Sequence, residues 1–448
     1  MKKYWYIIFG FAIVAHLLLL VKLGFTAWPE MTFWPYLLLK GWLPYKDIAI
    51  AHTPLLLVNL TVFYKIFGLG LLQLKIYTWI LIFITDLLLY IVANKLWDKK
   101  VALISLILFI PLQVFYEGNG LWFDLALAFL ALLIYYCLEK KKYIWAGIFW
   151  TFAFLTKQTA FWFLIPMILM VLKDISGRVI KDVIKGIAIV TVPFLTVILL
   201  LNIMPEFWLW AFKFGLTKLP ISSGQVQMPT LRQFAVATLP LFLLMIATLR
   251  IRKSYAVLAW GIFASLGFLP RWGLFHFQPA LPFWALGFAI LISKFRRIKL
   301  NERLIFSLGL IIIAIIISRQ IVREWGRGDR FFEPEVIKIA EYIRQNSNPE
   351  EPVYIINTWD SLYTLSQTVP ATRPWLPYLA WYLEIPGIQD VIVASLELAP
   401  PKLIIEAEFQ KEGLGAYKAQ EIANFITNNY RLSDKFEGYL IYRPKEQM

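Results

Sequence analysis

Long apolar runs, separated by short polar and basic stretches, fill the chain from residue 5 to residue 321. They fall at 5–24, 72–93, 101–115, 121–138, 143–155, 159–172, 183–203, 233–249, 254–270, 274–293 and 304–321. Runs close to the ~20 residues that carry a helix across a hydrocarbon layer predict membrane spans, about eleven in all. Two runs, 143–155 and 159–172, are short of the ~17 residues an untilted span needs, so a hairpin of bent or partial helices is expected there. Between the first two runs lies Phe25–Gly68, which is too polar and Pro-broken for a span and too aromatic for a solvated loop. A helix from Met31 to about Lys40 is predicted within it, ended by Gly41 and Pro44; His52 and Pro54 then open a second apolar helix.

The pattern changes at about Trp325. PEVIKIAEYIRQNSNP and AYKAQEIANFITNNY have helical periodicity, VYIIN and KLIIEA are short buried strands, and FEGYLIYRP closes as a hairpin or edge strand. The expected fold is therefore an all-α polytopic membrane domain over residues 1–324, with interfacial helices in its first outer loop. A soluble α/β domain is expected over 325–448. That second part carries no nucleotide-binding glycine motif, metal cluster or nucleophile elbow.

Charge orients the arrangement. With the N-terminus inside, the inner loops carry Lys95/Lys99/Lys100, Lys140/Lys141/Lys142, Lys173/Arg178/Lys181/Lys185, Arg250/Arg252/Lys253 and Lys294/Arg296/Arg297/Lys299/Arg303. Every inner loop is basic, as the positive-inside rule requires, and an odd number of spans leaves the C-terminal domain on the outer face of a plasma membrane. The 448 residues are 59% hydrophobic with a net charge of +15. Those charges lie in loops rather than on a folded basic domain, which excludes a nucleic-acid partner. The one cysteine, Cys137, cannot form an intrachain disulfide. Met1-Lys2-Lys3 and the following run look like a signal peptide with FTA as a cleavage site, but the length of the run favours an uncleaved first span.

On this topology the polar residues at the outer span ends gather on one face. They are Glu30, Asp47 and His52; Glu117, Asn119 and Asp124; Lys157 and Gln158; Lys213, Lys218 and Arg232; and Arg271, His276 and Gln278. Each has a structural explanation by itself. A cation at a span end snorkels, Asp124 can cap its helix, and a histidine among aromatics can be a packing residue. Together they are a stronger signal, because ionisable groups at a membrane edge are costly. A carboxylate can take the proton of an attacking hydroxyl, and Lys or Arg can neutralise a phosphate. The outer stretch 204–231, with Ser222-Ser223-Gly224, has the composition of a mobile lid. Asp86, deep in its run, is expected to pair with a polar neighbour.

Four stretches carry a family resemblance: the first-loop acid followed by GWLPYKD and HTP; Glu117 to Asp124; WAGIFWTFAFLTKQTAFWFLIP; and RWGLFHFQPALPFWAL. IAEYIRQN…VYIIN…LYTLSQTVPATRP adds a fifth in the outer domain. In this order the chain resembles the C-type membrane glycosyltransferases, in the group of protein O-mannosyltransferases and lipid A aminoarabinose transferases. The resemblance implies transfer of a sugar from a polyprenyl-phosphate carrier to a lipid, glycan or protein acceptor on the outer face. By it, Glu30 matches the catalytic or acceptor-orienting acid, with Asp124 or Glu117 as second carboxylate. Lys157 and Arg271, with His276, match positions near the lipid phosphate, and His52, Asp47, Gln158 and Gln278 are expected to line the acceptor or sugar site. Many relatives carry Asp-Glu or an isolated Asp where Pro29 precedes Glu30 here. No local carboxylate pair therefore supports a divalent metal; no cofactor is assigned, and a divalent metal stays open. The rival readings are a transporter or lipid flippase, and an inactive lipid-binding member of the family. The chain shows no internal repeat, and its candidate charged groups sit at the outer edge rather than near the midplane, where many transporters place theirs.

Overall fold

The computed structural model describes residues 2–172, 176–217, 228–248, 255–269, 271–295, 300–408 and 418–445. The first domain is helical: α1 (Lys2–Lys22), α2 (Glu30–Leu39), α3 (Leu55–Phe67), α4 (Leu71–Leu96), α5 (Lys99–Phe115), α6 (Phe123–Glu139), α7 (Tyr143–Thr156), α8 (Leu164–Val171), α9 (Gly177–Leu200), α10 (Met204–Trp208), α11 (Gly215–Thr217), α12 (Leu231–Thr248), α13 (Tyr255–Phe263), α14 (Leu281–Ser293) and α15 (Leu300–Glu324). Each apolar run read from the sequence contains helix among its described residues. Among the described residues, four helices are long and apolar enough to cross a membrane: Tyr4–Lys22, Leu71–Leu96, Gly177–Leu200 and Glu302–Glu324. The others are shorter. The expected hairpin at 143–172 is a bent element, with α7 followed by an extended Lys157, a 3-10 turn Gln158–Phe163 and then α8.

Local chemistry accounts for the element ends. Asp98 caps α5 by accepting from the Val101 N–H at 2.8 Å, and Ser176 caps α9 in the same way. Glu30 opens α2 just after Pro29, where a carboxylate meets the positive end of the helix. Helices α7 and α9 cross with almost no space between them. A Cβ on Gly147 would stand 2.3 Å from the Val183 carbonyl, and one on Gly186 would stand 2.0 Å from that of Ile144. Small residues let helix backbones meet this closely within a lipid phase.

The C-terminal domain holds α16 (Pro334–Asn346), α17 (Ser361–Ser366), α18 (Ala380–Leu383), α19 (Ile388–Leu398) and α20 (Gln420–Asn429). Its sheet comprises β1 (Pro352–Ile356), β2 (Val369–Pro370), β3 (Ile404–Ala407), β4 (Tyr430–Phe436) and β5 (Tyr439–Pro444), in the order β2-β1-β3-β5-β4. β1 is parallel to β2 and β3, while β5 runs antiparallel to β3 and β4. Tyr430↔Pro444 and Phe436↔Tyr439 mark the two ends of the predicted hairpin.

The sheet domain rests on the first loop. Ile48 bridges Trp375, with Ala49 N–H donating to the Trp375 carbonyl at 3.0 Å and Trp375 N–H to that of Asp47 at 2.8 Å. Rings of the two domains meet at Phe33–Tyr363 (5.1 Å) and Phe33–Trp375 (4.8 Å). Lys75 pairs with Asp329 at 2.8 Å and Arg373 with Asp47 at 2.7 Å. One buried cluster runs from Leu20 and Met31 through to Ile441, so the apolar core is continuous across the junction.

Candidate functional site

The first loop is held in place before it reaches Glu30. Asn119 Nδ2 donates to the carbonyls of Leu20, Leu23 and Gly24 at 2.9–3.2 Å, taking up the open end of α1. Thr26 bridges Gly120 on one side and Arg330 on the other. Glu30 then emerges at the start of α2, half-buried, its Oε2 enclosed and without a hydrogen-bond partner. Burial lifts its carboxyl above the usual range, opposed by its own backbone N–H and by the nearby Arg271 guanidinium. Arg271 lies 5.0 Å over the ring of Trp381 from the C-terminal domain. Asp360 and Tyr382, also from that domain, lie within electrostatic reach of Glu30.

A second group is buried beside the first. Lys157 is 4% exposed and adopts an extended backbone (φ −156°, ψ 135°), which turns it out of α7. Asp124 sits in the first turn of α6, and His276 in the 3-10 turn Leu274–Phe277. Lys157 Nζ donates to Asp124 Oδ2 at 2.5 Å and lies 3.1 Å from His276 Nδ1, which is itself 2.9 Å from the same Oδ2. Burying a lysine requires such a partner, because an unpaired buried charge is far costlier than a paired one. Asp124 Oδ1 is left buried and unpartnered. His52 meets Phe123 in a tilted ring contact at 4.2 Å, and burial followed by the Lys157 charge brings its imidazole down to about 3, so it is neutral. Aromatic rings join the two groups: Phe275, next to His276, meets Trp28 at 5.4 Å and Trp122 at 5.8 Å.

Glu30, Arg271, Lys157, Asp124, His276 and His52 are thus brought together from five separate stretches. Gln158 is close but committed, its Nε2 donating to the carbonyls of Ala51 (3.0 Å) and Ala211 (2.6 Å). Four sequence expectations change. Asp124 is no free second carboxylate, since the Lys157 ammonium and His276 occupy its Oδ2. Asp47 lies under the C-terminal sheet, bound to Arg373 and to the Leu43 N–H at 2.7 Å. Gln278 is a scaffold residue, donating to the carbonyls of Gln113 (3.0 Å) and Tyr116 (2.8 Å). Glu117, in a left-handed turn (φ 55°), is solvent-exposed and faces Arg330, whose guanidinium covers Trp28 at 5.6 Å. It stands at the rim rather than with Glu30.

Residues 204–217, expected in an outer lid, are helical, with a π turn at Leu209–Phe214; Ser222-Ser223-Gly224 lie outside the described residues. Asp86 has its polar neighbour, His16, at 2.7 Å. Asp360, Trp381 and Tyr382 escaped the sequence reading, although Trp359-Asp360 follows a buried parallel strand, where ligand-binding loops are found. Among the described residues no three His, Cys, Asp or Glu side chains converge as a metal site would need.

Residues 51–205 match the family described as dolichyl-phosphate-mannose-protein mannosyltransferase. No curated protein sequence matches the chain. The structure superposes on ArnT from Cupriavidus metallidurans bound to undecaprenyl phosphate with TM-score 0.61 and 11% identity, covering 99% of this chain and 98% of that one. The apo form of the same protein gives TM-score 0.63 at 13% identity, over 98% of each chain. The archaeal oligosaccharyltransferase AglB from Archaeoglobus fulgidus, in complex with an inhibitory peptide and a dolichol-phosphate, gives TM-score 0.53 at 13% identity, over 99% of this chain and 75% of that one. The resemblance read in the sequence holds at the level of fold: this chain shares the fold of the solved ArnT and AglB structures.

Proposed function

We propose that the protein is a membrane glycosyltransferase that moves a sugar from a polyprenyl-phosphate-linked donor to a hydroxyl on an acceptor at the outer face. The observation that carries this reading is Glu30, a carboxylate with a buried, unpartnered oxygen, set beside Arg271 where the outer domain meets the helices. The family matched by residues 51–205, and the lipid phosphates bound by ArnT and AglB, support a lipid-linked donor.

Glu30 accepts the proton of the acceptor hydroxyl as its oxygen bonds to the anomeric carbon. The bond from that carbon to the phosphate oxygen breaks, and its electron pair stays on the phosphate. Arg271 and the Lys157 ammonium neutralise the charge that develops there. Asp124 and His276 hold Lys157 in position. A single displacement of this kind inverts the anomeric configuration. The test is incubation of purified protein with labelled polyprenyl-phosphate sugars. Release or transfer of the sugar by the wild type, and its loss in Glu30→Gln with folding and membrane insertion intact, is the expected result. A Glu30→Gln variant with wild-type turnover removes Glu30 from the role of base. Binding of the donor without turnover points to a lipid-binding protein instead.

A further inference from the structure

The outer domain has no catalytic motif in its sequence, yet one of its loops reaches the surroundings of Glu30. In open α/β sheets, ligands bind outside the carboxyl ends of parallel strands. β1 is parallel to both its neighbours, and its carboxyl end continues as Asn357-Thr358-Trp359-Asp360. Asn357 turns the chain through a left-handed conformation (φ 56°) into α17, which packs on α2, the helix that Glu30 begins. Rings define the path on either side. Tyr363 stacks on Phe33, Trp359 meets Phe331 at 4.7 Å, and Phe331 meets Trp28, two residues before Glu30, at 5.2 Å.

The polar atoms gathered here are not used up by the fold. Asp360, at the residue before α17, makes no side-chain capping bond. Glu30 Oε2 and the hydroxyl of the fully buried Ser361 have no hydrogen-bond partner. Such enclosed, unpartnered groups are costly in a folded protein and call for a partner the protein itself does not supply.

We propose that Asp360 is a further residue of the acceptor site, and that it and Glu30 hold one acceptor hydroxyl between them across the domain junction. The proposal rests on the glycosyltransferase reading and names the class of acceptor group. An alcohol is a hydrogen-bond donor and acceptor at once. Glu30 accepts its proton, while Asp360, whose carboxyl burial and then the Glu30 charge raise well above the usual range, donates to its oxygen lone pair in its acid form. Two ionised carboxylates would suit an ammonium group; one acid and one carboxylate suit a hydroxyl. In the transfer step Asp360 keeps its own proton, and the proton that moves goes to Glu30. Trp28, Phe331 and Trp359 give this place apolar walls against which a ring can lie.

Two measurements on the purified full-length protein test this. Infrared difference spectra of wild type against Asp360→Asn at neutral pH should show the carbonyl stretch of a protonated acid in the wild type, missing from Asp360→Asn and retained in Glu30→Gln. This arm needs no turnover, so its failure is separate from failure of the enzymatic reading; absence of the band overturns the proposal. In the second arm, a labelled polyprenyl-phosphate sugar is the donor and octyl glucoside the hydroxyl probe. Asp360→Ala should raise the KM for octyl glucoside about tenfold, as the loss of one hydrogen bond would. The KM for the donor should not change, and Asp360→Asn, whose amide still donates, should recover most of the loss. Equal defects in the two variants, or a change in donor KM as large as that for the probe, overturn the acceptor role. If the wild type turns over no donor, the proposed function falls, and the acceptor role of Asp360 falls with it.

Discussion

Glu30 is expensive where it stands, and its cost has a sign that can be measured. Its carboxyl is raised by burial, so it binds a proton more readily in the folded than in the unfolded chain. The stability it contributes is therefore full below its unfolded pKa and is lost as pH rises through the folded value. Activity should move the other way, because the base works only when ionised: turnover falls as pH drops through the raised pKa, at a higher pH than a free carboxylate would give. Glu30→Gln should abolish transfer, yet unfold at the same or a higher temperature than wild type at alkaline pH. A thermal melt across pH beside the activity profile checks both halves, and a variant less stable at alkaline pH would mark Glu30 as a structural group. Glu30, Lys157 and Arg271 stood out in the sequence as candidates because charges lie between apolar runs there. Asp360 did not, because an Asp after a strand in a soluble domain is ordinary; only the docking of α17 on α2 gives it meaning.

At the scale of elements, the bend between α7 and α8 carries Lys157 out of the helix in an extended conformation. The two short runs at 143–172 were readable as a broken pair from length alone, but no spacing rule joins 124, 157 and 276. That cluster is made by tertiary packing of α6, the bend and the turn before α14. It predicts a non-additive result. Asp124→Asn leaves the Lys157 ammonium buried with no anion and should destabilise the fold by about 3–5 kcal/mol, as removing one partner of a buried pair does. Adding Lys157→Gln removes the stranded charge and should restore most of that stability, while transfer stays lost because the phosphate has lost its cation. Thermal unfolding and turnover of the two single variants and the double decide this. If the double variant recovers activity as well, the cluster is only structural. Asp47 makes the opposite case. It read as a site residue because it shares a polar loop with Glu30, but the loop turns at Tyr45 (φ 69°) and Asp47 meets Arg373 instead.

At the scale of the whole molecule, sidedness follows from charge. Lysines gather where α4 meets α5 (Lys95, Lys99, Lys100) and between α6 and α7 (Lys140, Lys141, Lys142), and the turns that hold Glu30, Lys157 and Arg271 lie at the opposite ends of their helices. The sheet domain caps those opposite ends through Ile48–Trp375 and Asp47–Arg373. If the lysine-rich side faces the cytoplasm, as the positive-inside rule requires, then site and sheet domain together face outward. Cys137, the one native thiol, is buried and can be replaced by serine to give a clean background. Lys338→Cys, on the exposed surface of α16, should then react in intact cells with a membrane-impermeant maleimide. Lys140→Cys, after α6, should react only once the cells are opened. The reverse pattern would put the transfer site on the cytoplasmic side, where a nucleotide sugar is an alternative donor, and would undo the choice of a lipid-linked one.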